Sequence, residues 1–121
     1  MPKAKVVFFA SARGNAPVLD WMDGLELSVQ IKLLTKIEML KERGHELRRP
    51  QADFLHAGIY ELRAQQRRVQ YRILYFFDRS TAVLTHGLTK TTRIPAKDID
   101  LTIKRRAEYD KDPEKHTYQE R

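Results

Sequence analysis

The chain has no cysteine among its 121 residues. That absence removes disulfide frameworks, thiol nucleophiles and thiolate metal sites together. Long apolar runs are also missing: no segment approaches the ~20 residues of a spanning helix. A charged fraction of 32% and a mean hydropathy of −0.60 exclude a membrane-embedded protein. The most apolar stretch near the N-terminus, VVFFA, falls short of the ~7–15-residue core of a secretory signal and reads as a first strand, so a cytoplasmic protein is expected. There is no phosphate-binding glycine loop and no nucleophile elbow. His45, His56, His86 and His116 are scattered without metal-ligand spacing, and neither a metal nor a cofactor is expected.

The length suits one domain, expected over residues 1–110, followed by a polar tail at 111–121 with the composition of a loose end. A net charge of +7 and a pI near 9.8 admit nucleic acid, an anionic membrane surface or an acidic protein as partner. The excess is concentrated: residues 45–93 hold nine basic and four acidic side chains, whereas residues 94–121 balance at seven each. Because the cations are scattered along strand-like runs instead of lining one helix face, the membrane reading is disfavoured.

Lys5 to Ala10 is continuously apolar and predicts a strand covered on both faces or lying inside a sheet. A short helix from Ala16 to Met22 with Pro17 in its first turn, and a longer one from Leu25 to Arg43 closed by Gly44, predict a helical hairpin over one side of that sheet. After a polar link, HELRRPQAD, come strands at Ile59–Ala64, Arg68–Phe77 and Thr81–Thr89. Their short connections predict an antiparallel meander. In the middle strand Val69, Tyr71, Ile73, Tyr75 and Phe77 share one face, and Gln70, Arg72, Leu74 and Phe76 the other. Simple alternation puts Leu84, His86 and Leu88 together. Pro95 opens a last helix to Tyr109. The fold class is α/β in the α+β sense, with about four mainly antiparallel strands.

Arg72 lies inside an apolar strand, where a charge must be paired or must face a cleft. A buried salt bridge to Glu61 and a catalytic role are both open readings. Glu61 and Arg63 project from one face of YELR, as an ion pair or as part of a site. Lys90, at a strand end beside Thr91 and Thr92, reads as a phosphate-binding cation or a solvated terminus. His86 reads as a packed histidine or a proton carrier. Tyr60, Tyr71 and Tyr75 are open between core and base-stacking platform.

With these pieces in order, residues 4–110 resemble the RelE/HigB superfamily of type II toxins, in particular its phage-derived HigB-like branch. The matching segments are the hairpin ending at Gly44, GIYELR at 58–63, YRILYFF at 71–77, AVLTHGLTK at 82–90 and the proline-led helix at 94–109. Leu88 stands where that branch usually has phenylalanine, and Thr91 where it has a second lysine. The resemblance implies a ribosome-dependent mRNA endonuclease whose ribose 2′-hydroxyl attacks the neighbouring phosphate without metal. It assigns catalysis to Arg63, Arg72, Lys90, Glu61 and His86, and RNA contacts to Arg67, Arg68 and Arg93. It implies a cognate antitoxin, often a helix-turn-helix protein, with DNA reached only through that partner. The alternative is a catalytically weak or inactive phage-derived relative serving as an antitoxin- or nucleic-acid-binding module.

Overall fold

Alternating apolar residues in the middle of the chain close into consecutive antiparallel ladders. The computed structural model describes residues 3–90 and 93–119. In chain order it contains β1 (Lys5–Phe8), α1 (Pro17–Asp23), α2 (Leu27–Arg43), β2 (Ala52–His56), β3 (Ile59–Gln66), β4 (Val69–Asp78), β5 (Thr81–Lys90) and α3 (Ala96–Lys111). The sheet order is β1-β5-β4-β3-β2, antiparallel except for β1 against β5. This is the expected α+β architecture with one more strand than sequence periodicity indicated. Among the described residues no helix is long and apolar enough to cross a membrane.

The added strand is β2, whose start overlaps the polar link. It is a short edge strand carrying Asp53 and His56, so its apolar alternation is weak. The turn to β3 is Ala57–Gly58, with φ of 55° and 77°. Two positive φ values suit the right-handed twist of a tight hairpin, but an alanine in the first position hides the usual Asn-Gly or Asp-Gly cue.

β4 supplies both cores. Ile73 and Tyr75 pack under α1 and α2 with Val18, Val29, Leu33, Leu40 and Leu84. Leu74 and Phe76 pack on the opposite face with Phe9, Ile59, Val83, Ile99 and Tyr109. Fully burying one such aliphatic or aromatic side chain stabilises the fold by roughly 1.5–3 kcal/mol, so a strand apolar on both faces anchors both layers.

β1 has both faces covered, as expected, yet lies at the sheet edge. Its outer side is closed by the segment after α3: Ala10 N–H donates to the His116 carbonyl, and Tyr118 N–H to the Phe8 carbonyl, each at 2.8 Å. His116 is buried, stacks on Phe9 and sits with Nδ1 2.8 Å from the Ala10 carbonyl. The supposed loose end is therefore bound over the residues described. Its polar composition concealed one imidazole able to satisfy an apolar face and a backbone acceptor together.

The strict alternation expected for β5 is also corrected. Tyr75 pairs with Leu84 while Leu74 pairs with His86, which leaves Thr85 as an extra residue. This bulge reverses the phase of the strand. Leu84 joins the α1/α2 core, whereas Leu88 belongs to the α3 core and His86 faces α3. Gly87 consequently faces α1, where an added Cβ would lie 2.2 Å from the Trp21 ring. Gly87→Ala is expected to lower stability by about 1–3 kcal/mol through overpacking. Urea unfolding followed by Trp21 fluorescence measures this; an unchanged midpoint would show that the ring has room to move.

Candidate functional site

The register of β2, β3 and β4 gathers charge on the sheet face that α3 only partly covers. Arg63 stands opposite Arg72, Glu61 opposite Leu74, and Asp53 opposite Glu61. Two arginines directly across a ladder repel each other. Glu61, diagonal to Arg72, relieves that repulsion: its Oε1 accepts from Arg72 Nε at 2.9 Å, and its Oε2 lies 4.0 Å from Arg63 Nε. Arg72 also donates through Nη1 to the Tyr71 carbonyl at 3.4 Å and through Nη2 to Gln70 Oε1.

Glu61 and Arg72 are each 7% exposed. Burial pulls the Arg72 guanidinium below the ordinary arginine value, with the Glu61 charge opposing the change; it remains a cation. The buried salt bridge to Glu61 is present, and Arg72 also borders a cavity.

That cavity, about 410 Å³, is bordered by Arg49, Arg63, Arg72 and Arg93, by the carboxylates of Asp53 and Glu61, and by Gln70. Leu55 and Ile94 form its apolar wall. At the rim Arg49 Nη2 and Asp53 Oδ2 are 2.7 Å apart. The Arg49 hydrogen bond holds the Asp53 carboxyl below the usual carboxylate range against a weaker effect of burial, and the Phe54 N–H assists. Four guanidinium groups against two carboxylates leave an excess of two positive charges. Such a concave, net-positive site suits an anionic group.

The residues proposed from sequence do not all converge. Glu61, Arg63, Arg72 and Arg93 border one space. Lys90 pairs in register with Gln70, in the row next to that of Arg63, Arg72 and Leu88, and is not among the residues bordering the cavity. His86 does not line the cavity; its Nε2 is 2.7 Å from Asp98 Oδ1, beneath the first turn of α3. Arg67 and Arg68 form the exposed β3–β4 turn, also outside the cavity lining. Thr91 and Thr92 lie outside the described residues. Tyr75 is buried in the opposite core and the partly buried Tyr60 and Tyr71 pack against it, so the three rings lie on the sheet face away from this cavity. Burial pushes the Tyr75 hydroxyl well above the ordinary tyrosine value.

Sequence reasoning missed Arg49 and Asp53 because β2 was unrecognised and the link before it read as polar connection. Their opposite charges four residues apart were the available signal. Only the Asp53–Glu61 register joins them to the site.

Glu61→Ala would leave Arg72 buried beside Arg63 without its main counter-charge and is expected to cost about 3–5 kcal/mol in a denaturant titration. The paired replacement Glu61→Leu with Arg72→Met removes both charges and should cost much less. Equal costs would show that the pair does not act as a unit.

A search among curated proteins finds no match to the chain. A family model described as "Phage derived protein Gp49-like (DUF891)" matches residues 20–107. The match runs from α1 into α3 and includes every residue bordering the cavity. Since it spans well over half of the sequence, the chain belongs to the phage-derived Gp49-like family, a RelE/HigB-like toxin family.

Proposed function

We propose that this protein is the toxin of a type II toxin-antitoxin system, an endoribonuclease that cuts messenger RNA on the ribosome. The observation that carries this reading is the clustering of Arg63 and Arg72 around Glu61 on an open sheet face. Arg63 and Arg72 clamp the scissile phosphate, with Arg49 and Arg93 flanking it. The 2′-oxygen bonds to phosphorus as its proton passes to a carboxylate of the site, Glu61 or Asp53. The P–O5′ bond breaks and the leaving oxygen takes a proton, giving a 2′,3′-cyclic phosphate and a 5′-hydroxyl.

Such catalysis relies on proton transfer and on cations placed where the phosphorane gains charge, without a metal. Lys90 stabilises that charge or donates the proton, and His86 ranks below it as a proton carrier. The partners are the translating ribosome with its mRNA and a cognate antitoxin of helix-turn-helix type, through which alone the complex meets DNA. The cytoplasm is the compartment this reading requires.

One observation favours the alternative of an inactive binding module. Three Arg72 nitrogens already donate to protein acceptors, and Leu88, opposite Arg72, is buried and aliphatic.

Arg63→Ala separates the readings better than Arg72→Ala, because the Arg63 side chain is 32% exposed and can be removed with less cost to the fold. In a translation-coupled assay with purified ribosomes, wild type is expected to cleave and Arg63→Ala to be slower by about 10²–10³. Intact transcripts with folded wild-type protein would leave the binding module; equal rates in the two proteins would remove Arg63 from the site.

A further inference from the structure

A second cavity, about 520 Å³, opens around the edge of the same sheet. The β2 ladder ends at Ala52 opposite Leu62, so among the described residues no strand pairs with β3 on that side from Arg63 to Gln66. Arg63 N–H still donates to the Gln51 carbonyl at 2.8 Å. α2 runs alongside this bare edge and presents Ile31, Lys32, Thr35 and Lys36 to the space. Arg63 and Arg72 border both cavities, so the two depressions meet at these arginines.

Their charge differs. Among the described residues the second cavity is lined by four cations, Lys32, Lys36, Arg63 and Arg72, and by no carboxylate. Lys32 Nζ donates to the Gln65 carbonyl at 3.0 Å and Lys36 Nζ to Gln51 Oε1, both neutral acceptors. Among the described residues neither lysine has a carboxylate within ion-pair distance. Like charges one helical turn apart disfavour the isolated helix, by about 0.2–0.5 kcal/mol. A polyanion laid along the groove removes that cost.

We propose that this groove is the track along which the RNA leaves the reacting phosphate, with Lys32 and Lys36 holding the backbone beyond the Arg63–Arg72 clamp. The inference rests on the reading of the first cavity as an RNA site. Residues one turn apart have Cβ atoms ~5–6 Å from each other, so two flexible lysines can reach neighbouring phosphates of one strand. Ile31 gives the sugars and bases an apolar surface. An acidic protein segment would match the same charges. RNA is favoured because the groove joins the catalytic arginines directly, whereas the exposed apolar residues Leu27 and Leu34 of α2 do not line it.

The test uses the full chain and a non-cleavable 2′-O-methyl nonaribonucleotide, followed by fluorescence anisotropy across a salt series. Lys32→Ala/Lys36→Ala is expected to bind about tenfold more weakly than wild type and to reduce the salt slope by about 1.4, as two lost single-strand phosphate contacts require. Lys104→Ala/Lys111→Ala removes the same charge from exposed positions of α3 and should bind like wild type. In NMR titrations the nonamer should shift the amides of Thr35 and Gln65, whereas a trinucleotide should shift mainly those around Glu61 and Gln70.

Equal weakening in both double variants, unchanged binding in the Lys32/Lys36 variant, or no binding by wild type would overturn the track. Binding of an acidic amphipathic peptide in place of RNA, lost in the Lys32/Lys36 variant, would overturn it in favour of a protein partner. Failure of cleavage with the groove contacts intact would remove only the nuclease reading.

Discussion

A buried carboxylate between two arginines holds the charged groups on the open face of the sheet together. Arg63 and Arg72 are forced together by the β3–β4 register, and without Glu61 their mutual repulsion would act in a poorly solvated place. With Glu61 present, one arginine is fixed in the interior and the other remains accessible at its side. Arg72's further donations to Tyr71 and Gln70 offset part of the cost of desolvating the pair. The same contacts restrict the rotamers of both cations, and in the proposed reaction that would present a phosphate with groups already aimed.

The surrounding fold leaves this face available. α1 and α2 bury one side of the sheet, while α3 covers the other side incompletely and the segment leading into it, Arg93 and Ile94, forms part of the cavity wall. The bulge at Thr85 lets β5 serve both layers, giving Leu84 to one core and Leu88 to the other. α3 is tied down by polar contacts at both ends: His86 meets Asp98 near its start, and Tyr109 donates to Asp78 Oδ2 at 2.9 Å near its end. Burial, with the Asp78 contact adding to it, pushes the Tyr109 hydroxyl up to about 12, so it remains a protonated donor at physiological pH.

Much of this was legible in the sequence, for physical reasons that also explain the omissions. Strong periodicity located α2, β4 and β5 within a few residues, and the two-faced apolar pattern of β4 announced a sheet covered on both sides. Arg72 stood out because its neighbours were apolar. Three features were hidden. β2 is too short and polar to show alternation, so Arg49 and Asp53 went unnoticed. A bulge changes strand phase without altering composition, which moved Leu84 away from His86 and Leu88. Tertiary hydrogen bonds ordered the segment around His116 despite its polar character. The second groove depended on where β2 stops pairing, and no local pattern records that.

Membership of a phage-derived toxin family and a cationic cavity holding carboxylates support the same chemistry, although fold alone does not determine it. The most direct measurement is the chemical identity of the RNA ends produced when the purified protein acts on a message held by ribosomes. The account predicts 2′,3′-cyclic phosphate and 5′-hydroxyl termini, produced by the wild-type protein and greatly diminished for the Arg63→Ala variant. Termini bearing 5′-phosphate and 3′-hydroxyl, or undiminished cleavage by that variant, would contradict it.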